Sequence, residues 1–393
     1  MILEPFRLPQ KRRSPALWVL LVGIFLLTYA LSWVLIQRPA SDLSIHTTWA
    51  GEGDFRDLTS FLHHVANPLW HCIVAVTVLM GVPLEIASAL VTALFKTAEV
   101  WIIHRLLSVA LHDRLSPTRI ALAALVSATV SGVCLPWYNP TVYLGVGTPN
   151  TWHSSTQLSA LVFMLLCVPY TAWCYDRFEE LEPSQGPKAI LPWPCAITLG
   201  VLLFMSLLSK PTFMQAFLPA ACLFFLVKWI RHPRSSRFFV QIILVVLPSV
   251  AYMLIQYMYY YGIIVPHESS MVLQLSGEKA LHVLIRTVLL YAFPLYTLWS
   301  SRKQKKDTFF WLTLLFNVVG ILEFLLLGED GRRSEDGNFG WGMMGAALMM
   351  WVMCLIRFLR QEQRSWPGWA LIGWHWLSGL YYIYYLFTTD VPL

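Results

Sequence analysis

Residues 66–83 read ANPLWHCIVAVTVLMGVP, and whether this apolar run crosses a membrane decides the side on which every later loop falls. Another apolar run follows at about 84–110, so the pair is either two spans or a flat helix leading into one span. Charge separates the two readings. With 66–83 kept out of the bilayer, 19 Lys and Arg residues fall on one side, in the N-terminal tail and in 111–119, 174–189, 228–237, 301–308 and 357–366. Only six fall on the other: Arg38, Arg56, Lys210, Lys279, Arg332 and Arg333. Counting 66–83 as a span would move RHPRSSR (231–237) and SRKQKKD (301–307) outside, against the excess of basic residues that cytoplasmic loops carry. The segment is therefore expected to lie along the outer interface as a helix.

Upstream of it, Lys11, Arg12 and Arg13 precede the apolar stretch 16–36, which reaches the roughly 20 residues a helix needs to cross a bilayer. It lacks a small-residue cleavage site and reads as a retained first helix. Downstream, apolar runs recur at about 119–137, 154–174, 190–208, 212–229, 238–258, 280–299, 309–327, 339–357 and 367–387. With 16–36 and 84–110 that makes eleven spans. The expected architecture is all-α and polytopic, one integral membrane domain over 1–393, with the N-terminus cytoplasmic and the C-terminus outside. The first outer loop covers about 37–83 and the fifth about 328–338.

Composition points the same way. Of 393 residues 57% are hydrophobic and 13% charged, whereas soluble domains average about 45–50% and about 25%. A mean hydropathy of +0.58 suits a chain whose solvent is largely lipid. The net charge of +6 is explained by topology and gives no reason to expect nucleic acid as a partner. Seven cysteines have no CxxC spacing and lie mostly in apolar runs, which argues against a disulfide framework or a zinc site. No nucleophile elbow, HExxH, P-loop or dinucleotide fingerprint stands in a credible context, so no soluble cofactor is expected. The absence of an Asn-x-Ser/Thr sequon favours a bacterial cytoplasmic membrane over the endoplasmic reticulum.

The polar residues of the outer side cluster. Eleven of 22 acids are there: Asp42, Glu52, Asp54, Asp57, Glu268, Glu278, Glu329, Asp330, Glu335, Asp336 and Asp390. So are six of eleven histidines, among them His46, His63, His64, His71 and His153. In WAGEGDFRDLTSFLHH (49–64), Asp54 beside Glu52 and Asp57 suits a general base, because neighbouring negative charge and partial burial raise proton affinity. The same acids could hold a divalent ion, or form only a solvated turn. Lys210, in LLSKPTFMQ between two spans, can meet an anionic headgroup or snorkel to lipid phosphate. Arg332 and Arg333 in GEDGRRSEDGNFGW can grip phosphate oxygens bidentately or pair with the acids around them. Inside the second span, Lys96 and Glu99 are three residues apart on one helix face and are expected to pair within the bundle. The Tyr-rich stretches 257–261 and 381–385 fit interface anchors or sugar-stacking surfaces.

The succession of a basic N-terminus, one span, an acidic outer loop, the run NPLWHCIVAVTVLMG, a long second span, an outer KP turn and a charged late outer loop resembles the GT-C-type membrane glycosyltransferases. That resemblance implies transfer of a sugar from a polyprenyl-phosphate donor to a lipid-linked or glycan acceptor on the non-cytoplasmic face. It makes an acid of the first outer loop the base, here Asp54 or else Glu52 or Asp57, although Asp54 lies well beyond the first span and not immediately after it. Lys210 with Arg332 or Arg333 would stabilise the leaving phosphate, and His63, His64, His153, Glu329 and Asn338 would contact substrate. The alternatives are a transporter or flippase of an anionic lipid-linked sugar, a polysaccharide polymerase or ligase, and an inactive accessory subunit.

Overall fold

The computed structural model describes residues 15–52, 67–135, 137, 147–260, 270–330 and 337–389, which form fourteen α-helices and one two-stranded sheet. The first helix, α1 (Pro15–Ile36), is apolar on every side and ends before Pro39. A short helix, α2 (Asp42–Glu52), starts at Ser41, whose hydroxyl accepts the Ser44 N–H at 3.1 Å and so satisfies one of the free donors of the first turn. The run that decided the topology is α3 (Pro68–Leu79). Its 12 residues extend about 18 Å, short of the roughly 30 Å hydrocarbon core. Proline at its first position suits a helix start, and Gly81 stops it with φ 92°, a conformation that side chains with a Cβ rarely adopt. The chain turns there into α4 (Leu84–Leu111).

The remaining helices are α5 (Pro117–Thr129), α6 (Ser155–Gln185), α7 (Trp193–Ser209), α8 (Thr212–Arg231), α9 (Ser236–Tyr260), α10 (Gly277–Leu290), α11 (Ala292–Ser300), α12 (Thr308–Leu326), α13 (Gly340–Leu359) and α14 (Trp366–Thr388). Strand β1 (Met271–Leu273) pairs antiparallel with β2 (Leu327–Glu329), with Met271 opposite Glu329. Every apolar run of the sequence has become a helix or a helix pair. Among the described residues, seven helices are long and apolar enough to cross a membrane, or eight if α10 and α11, bent by 66° at Tyr291, form one span. Of the other runs, α5 has 13 residues and α7 has 17, while α14 has 23 but its Trp and Tyr content dilutes its hydropathy. The expectation of an all-helical polytopic membrane protein therefore holds, and the count of eleven spans is not confirmed.

Burial grades from centre to rim. The apolar window of α13 is 94% buried, against 28% for α9. The sequence GWGMMGAALMMWVMCLIRFL explains the difference, since small residues and pliable methionines on all faces leave no side to turn outward. Glycine also permits close approach: a Cβ on Gly342 would meet a Glu323 carboxylate oxygen at 3.0 Å and the Thr212 carbonyl at 3.1 Å. Through this contact the starts of α8 and α13 and the last turn of α12 come together.

Two polar fastenings hold the site's framework. The ammonium of Lys96 donates to Glu99 at 2.7 Å and to the Asn150 side-chain oxygen at 3.0 Å, and the lysine and glutamate side chains are fully buried. The Asn150 amide in turn donates to the carbonyls of Ser127 and Val130. The expected pair thus pins the segment before α6, which carries His153. At the other fastening, the Arg38 guanidinium donates to the carbonyls of Leu386, Phe387 and Thr389, at 2.6, 2.8 and 2.8 Å. A cation at the free carbonyls of a helix C-terminus is favoured by both hydrogen bonding and the helix dipole. It fixes the ends of α1 and α14 at the same face of the bundle.

Candidate functional site

At that face, α2, the segment ahead of α6, the Lys210–Pro211 turn and the start of α13 converge. Lys210 caps α7, and its ammonium stands 3.7 Å from the centre of the Trp341 ring. Among the described residues no carboxylate lies within 4 Å of it. Burial lowers its proton affinity to a pKa of about 8, with the Asp42 carboxylate opposing the shift. At neutral pH it remains mainly a cation. Asp42 opens α2 and keeps 31% of its side chain exposed to the space in front of it. Burial works to raise its pKa, but the electrostatic influence of His46, Lys210 and His153 outweighs that, and the net direction is down. His46 and His153 are themselves lowered by burial, His153 to about 4, so Lys210 is the neighbour that keeps Asp42 ionised at neutral pH.

Behind Asp42 runs a line of hydrogen-bonding groups. His46 Nε2 lies 3.5 Å from the Asp42 carboxylate, His46 Nδ1 3.0 Å from His71 Nε2, and His71 Nδ1 3.0 Å from the Asn67 carbonyl. Spacing of four residues on α2 places Asp42 and His46 on one face, and α3 brings His71 up to them. Trp49 and Trp70 meet the His46 ring edge to face at 5.1 and 6.4 Å and fix its plane. On the opposite side of Asp42, His153 Nδ1 bonds the Tyr382 hydroxyl at 2.6 Å, and its ring lies 6.0 Å from Trp341.

Lys210 also lines a cavity of about 390 Å³ together with Asn67, Thr212, Glu323, Glu329 and Asn338. One Glu323 oxygen and the Thr212 hydroxyl are buried there without a hydrogen-bond partner among the described residues. A second cavity of about 390 Å³ holds Lys279, His282 and Arg286 of α10 and shares Glu329 and Asn338 as its wall. That wall is closed by the Asn338 amide donating to Glu329 at 2.6 Å. Cationic α10 residues face this space, while Leu281, Leu284 and Val288 of the same helix are exposed. Volumes of this size suit small-molecule sites.

Of the residues expected from sequence, Lys210, His153, Glu329 and Asn338 are brought to this region. Glu52 is exposed in the last turn of α2, ten residues and so about 15 Å along the helix from Asp42. Asp54, Asp57, His63, His64, Arg332 and Arg333 lie outside the described residues. The same region also holds Asp42, His46, His71, Trp341 and Tyr382, which sequence reasoning did not assign to the site. The i,i+4 pair Asp42/His46 just beyond the first span was the available signal.

No family model matches the chain, nor does any curated protein sequence. Its fold nonetheless resembles that of a solved structure. It superposes on the crystal structure of ArnT from Cupriavidus metallidurans bound to undecaprenyl phosphate, with a TM-score of 0.50 and 14% sequence identity over 90% of this chain. The match covers 62% of the ArnT chain, so this protein spans somewhat under two thirds of it. At this identity the likeness is one of fold.

Proposed function

We propose that this chain is a membrane glycosyltransferase that takes its sugar from a polyprenyl-phosphate-linked donor, with Asp42 as the base. The observation that carries the reading is Lys210: a half-buried lysine with no carboxylate in contact among the described residues, held over Trp341, beside an ionised carboxylate and open to a cavity. A cation in that state gains most from a phosphate, which supplies the charge-assisted hydrogen bonds it lacks. The fold shared with a protein crystallised with undecaprenyl phosphate supports the same ligand class.

In this reading the donor phosphate sits against Lys210 with the Asn338 amide nearby, and its prenyl tail leaves past α3 along the outer interface. Asp42 takes the proton of an acceptor hydroxyl as that oxygen attacks the anomeric carbon. The bond from that carbon to the phosphate oxygen breaks, and its electrons go to the phosphate, whose growing charge Lys210 stabilises more in the transition state than in the ground state. The second cavity, one wall away, leaves room for the acceptor, a lipid-linked or glycan molecule. The site lies on the non-cytoplasmic face of a bacterial cytoplasmic membrane. A flippase would want cations along a crossing path, and the deeper Lys96 is already held by Glu99 and Asn150.

Binding of undecaprenyl phosphate and of uncharged undecaprenol to the purified protein in lipid nanodiscs tests this. Preference for the phosphate by about tenfold or more, lost in Lys210→Met, is expected. Equal binding of the two, or a preference that survives Lys210→Met, would overturn the reading.

A further inference from the structure

We propose that His46 is the proton store of the site: the proton that Asp42 collects is handed to His46 Nε2, and His71 with the Asn67 carbonyl keeps that nitrogen empty beforehand. This deepens the reading of Asp42 as base and rests on it. The inference follows from the polarity of the line of hydrogen bonds. A carbonyl oxygen only accepts, so the 3.0 Å contact between the Asn67 carbonyl and His71 Nδ1 requires the proton to be on Nδ1. In a neutral imidazole the other nitrogen then carries a lone pair. His71 Nε2 is therefore an acceptor, and the 3.0 Å contact to His46 Nδ1 is made by an N–H of His46. That leaves His46 Nε2 with its lone pair turned toward the Asp42 carboxylate.

The separation of the last two atoms agrees. At 3.5 Å they stand outside the usual 2.7–3.2 Å range of an N–H···O bond, the spacing of two acceptors with no proton between them. The groups facing His46 from its surroundings favour the same resting state. Asp42 on α2 acts to raise its pKa, Lys210 ahead of α8 acts to lower it, burial lowers it most, and the net direction is down. His71 on α3 is lowered further, to about 3, so it remains a neutral acceptor.

When Asp42 takes the hydroxyl proton, its new O–H points at an imidazole nitrogen that is free to receive it. Transfer gives an Asp42 carboxylate beside a His46 imidazolium, and the charges balance within the pair. The carboxylate is restored while product is still bound, and the proton cannot return directly to the glycosidic oxygen. His46 acts through Asp42 and is a positioning residue; it touches no reacting atom. Its Nδ1–H, tied to His71, and the two tryptophans keep it from turning its other nitrogen to Asp42.

The test reads the tautomer directly. In full-length protein carrying ring-15N histidine, with the His46 signal identified by its loss in His46→Gln, neutral pH is expected to show protonated Nδ1 and bare Nε2. In His71→Ala the ring loses its acceptor, and the proton is expected to move to Nε2, where it can bond Asp42. A protonated Nε2 in the unaltered protein, or a tautomer indifferent to His71→Ala, overturns the proposal. A second arm uses turnover. With a donor that the unaltered protein consumes, His46→Ala is expected to lower kcat about tenfold to a hundredfold with KM within twofold, and imidazole in the buffer to restore most of it. No loss, or a loss that imidazole leaves unchanged, overturns the relay with the donor reading intact. Failure to bind undecaprenyl phosphate would instead remove the donor reading, and the tautomer result would stand by itself.

Discussion

Two lysines of this bundle, Lys96 fully buried and Lys210 half-buried, have opposite surroundings. Lys96 is saturated: Glu99 and Asn150 take its protons at 2.7 and 3.0 Å, and its side chain is sealed from solvent. Lys210 is left short: an aromatic face on one side, a carboxylate in electrostatic reach but not in contact, and a cavity in front. Desolvating a charge is costly in both places, and among the described residues a carboxylate in contact offsets that cost at Lys96 and not at Lys210. In the proposed function, the contrast separates a charge that serves the fold from one that awaits a ligand. Sequence already set them apart, pairing Lys96 with Glu99 inside a span and leaving Lys210 between two spans to meet an anionic headgroup or lipid phosphate.

Four outcomes would break or sharpen that contrast, the largest first. Asp42→Asn is expected to lower transfer by about 10²–10⁴-fold with folding intact, because it keeps shape and removes the basic oxygen. Glu52→Gln and Asp54→Asn should stay within about threefold of the unaltered protein. Rate assays in which Asp54→Asn fails and Asp42→Asn works would return the base to the acidic turn.

Lys96→Met is expected to destabilise the bundle by about 3–5 kcal/mol, since Glu99 would be left buried without a partner. Thermal unfolding in detergent should show most of the loss recovered in Lys96→Met/Glu99→Leu. The same substitution at position 210 should act in the reverse sense. Lys210→Met is expected to leave thermal stability unchanged or raised while weakening undecaprenyl phosphate about tenfold to a hundredfold, as for hydrogen bonds to charged groups.

The smallest effect is a pH dependence whose sign differs between binding and stability. The Lys210 ammonium loses its proton as pH rises through about 8, so affinity for undecaprenyl phosphate should fall by up to tenfold per unit above that point. Unfolded chain would hold the proton until about 10.4, so between these values the unfolded state binds more protons and the lysine's contribution to stability rises with pH. Kd measured from pH 7 to 9.5 should climb in the unaltered protein and stay flat in Lys210→Met.

How much of this was legible beforehand depends on the range of the signal. Hydropathy is local, so each apolar run of the sequence is found as helix. Lys210 stood out as a lone cation on the side poor in cations, and Asn338 and Glu329 fell in a loop already marked by charge. The base was sought among the three carboxylates at 52, 54 and 57, the last two of which lie outside the described residues, and these drew more weight than one at 42. Yet the family resemblance called for an acid directly after the first span, and Asp42 lies six residues beyond Ile36. His71 was absorbed into an apolar run as one polar residue among many. The meeting of residues 42, 46, 71, 153, 210, 341 and 382 depends on how helices pack, which no local pattern records.

The Arg38 fastening bears on the order in which the protein can become functional during its synthesis. Arg38 and Asp42 leave the ribosome early, but the carbonyls that hold Arg38 and the hydroxyl that holds His153 belong to α14, more than three hundred residues later. Until that helix is inserted, Arg38 and His153 lack the hydrogen bonds that it supplies. A partly made chain can thus carry Asp42, Lys210 and both cavities' walls through the membrane before these contacts close around them.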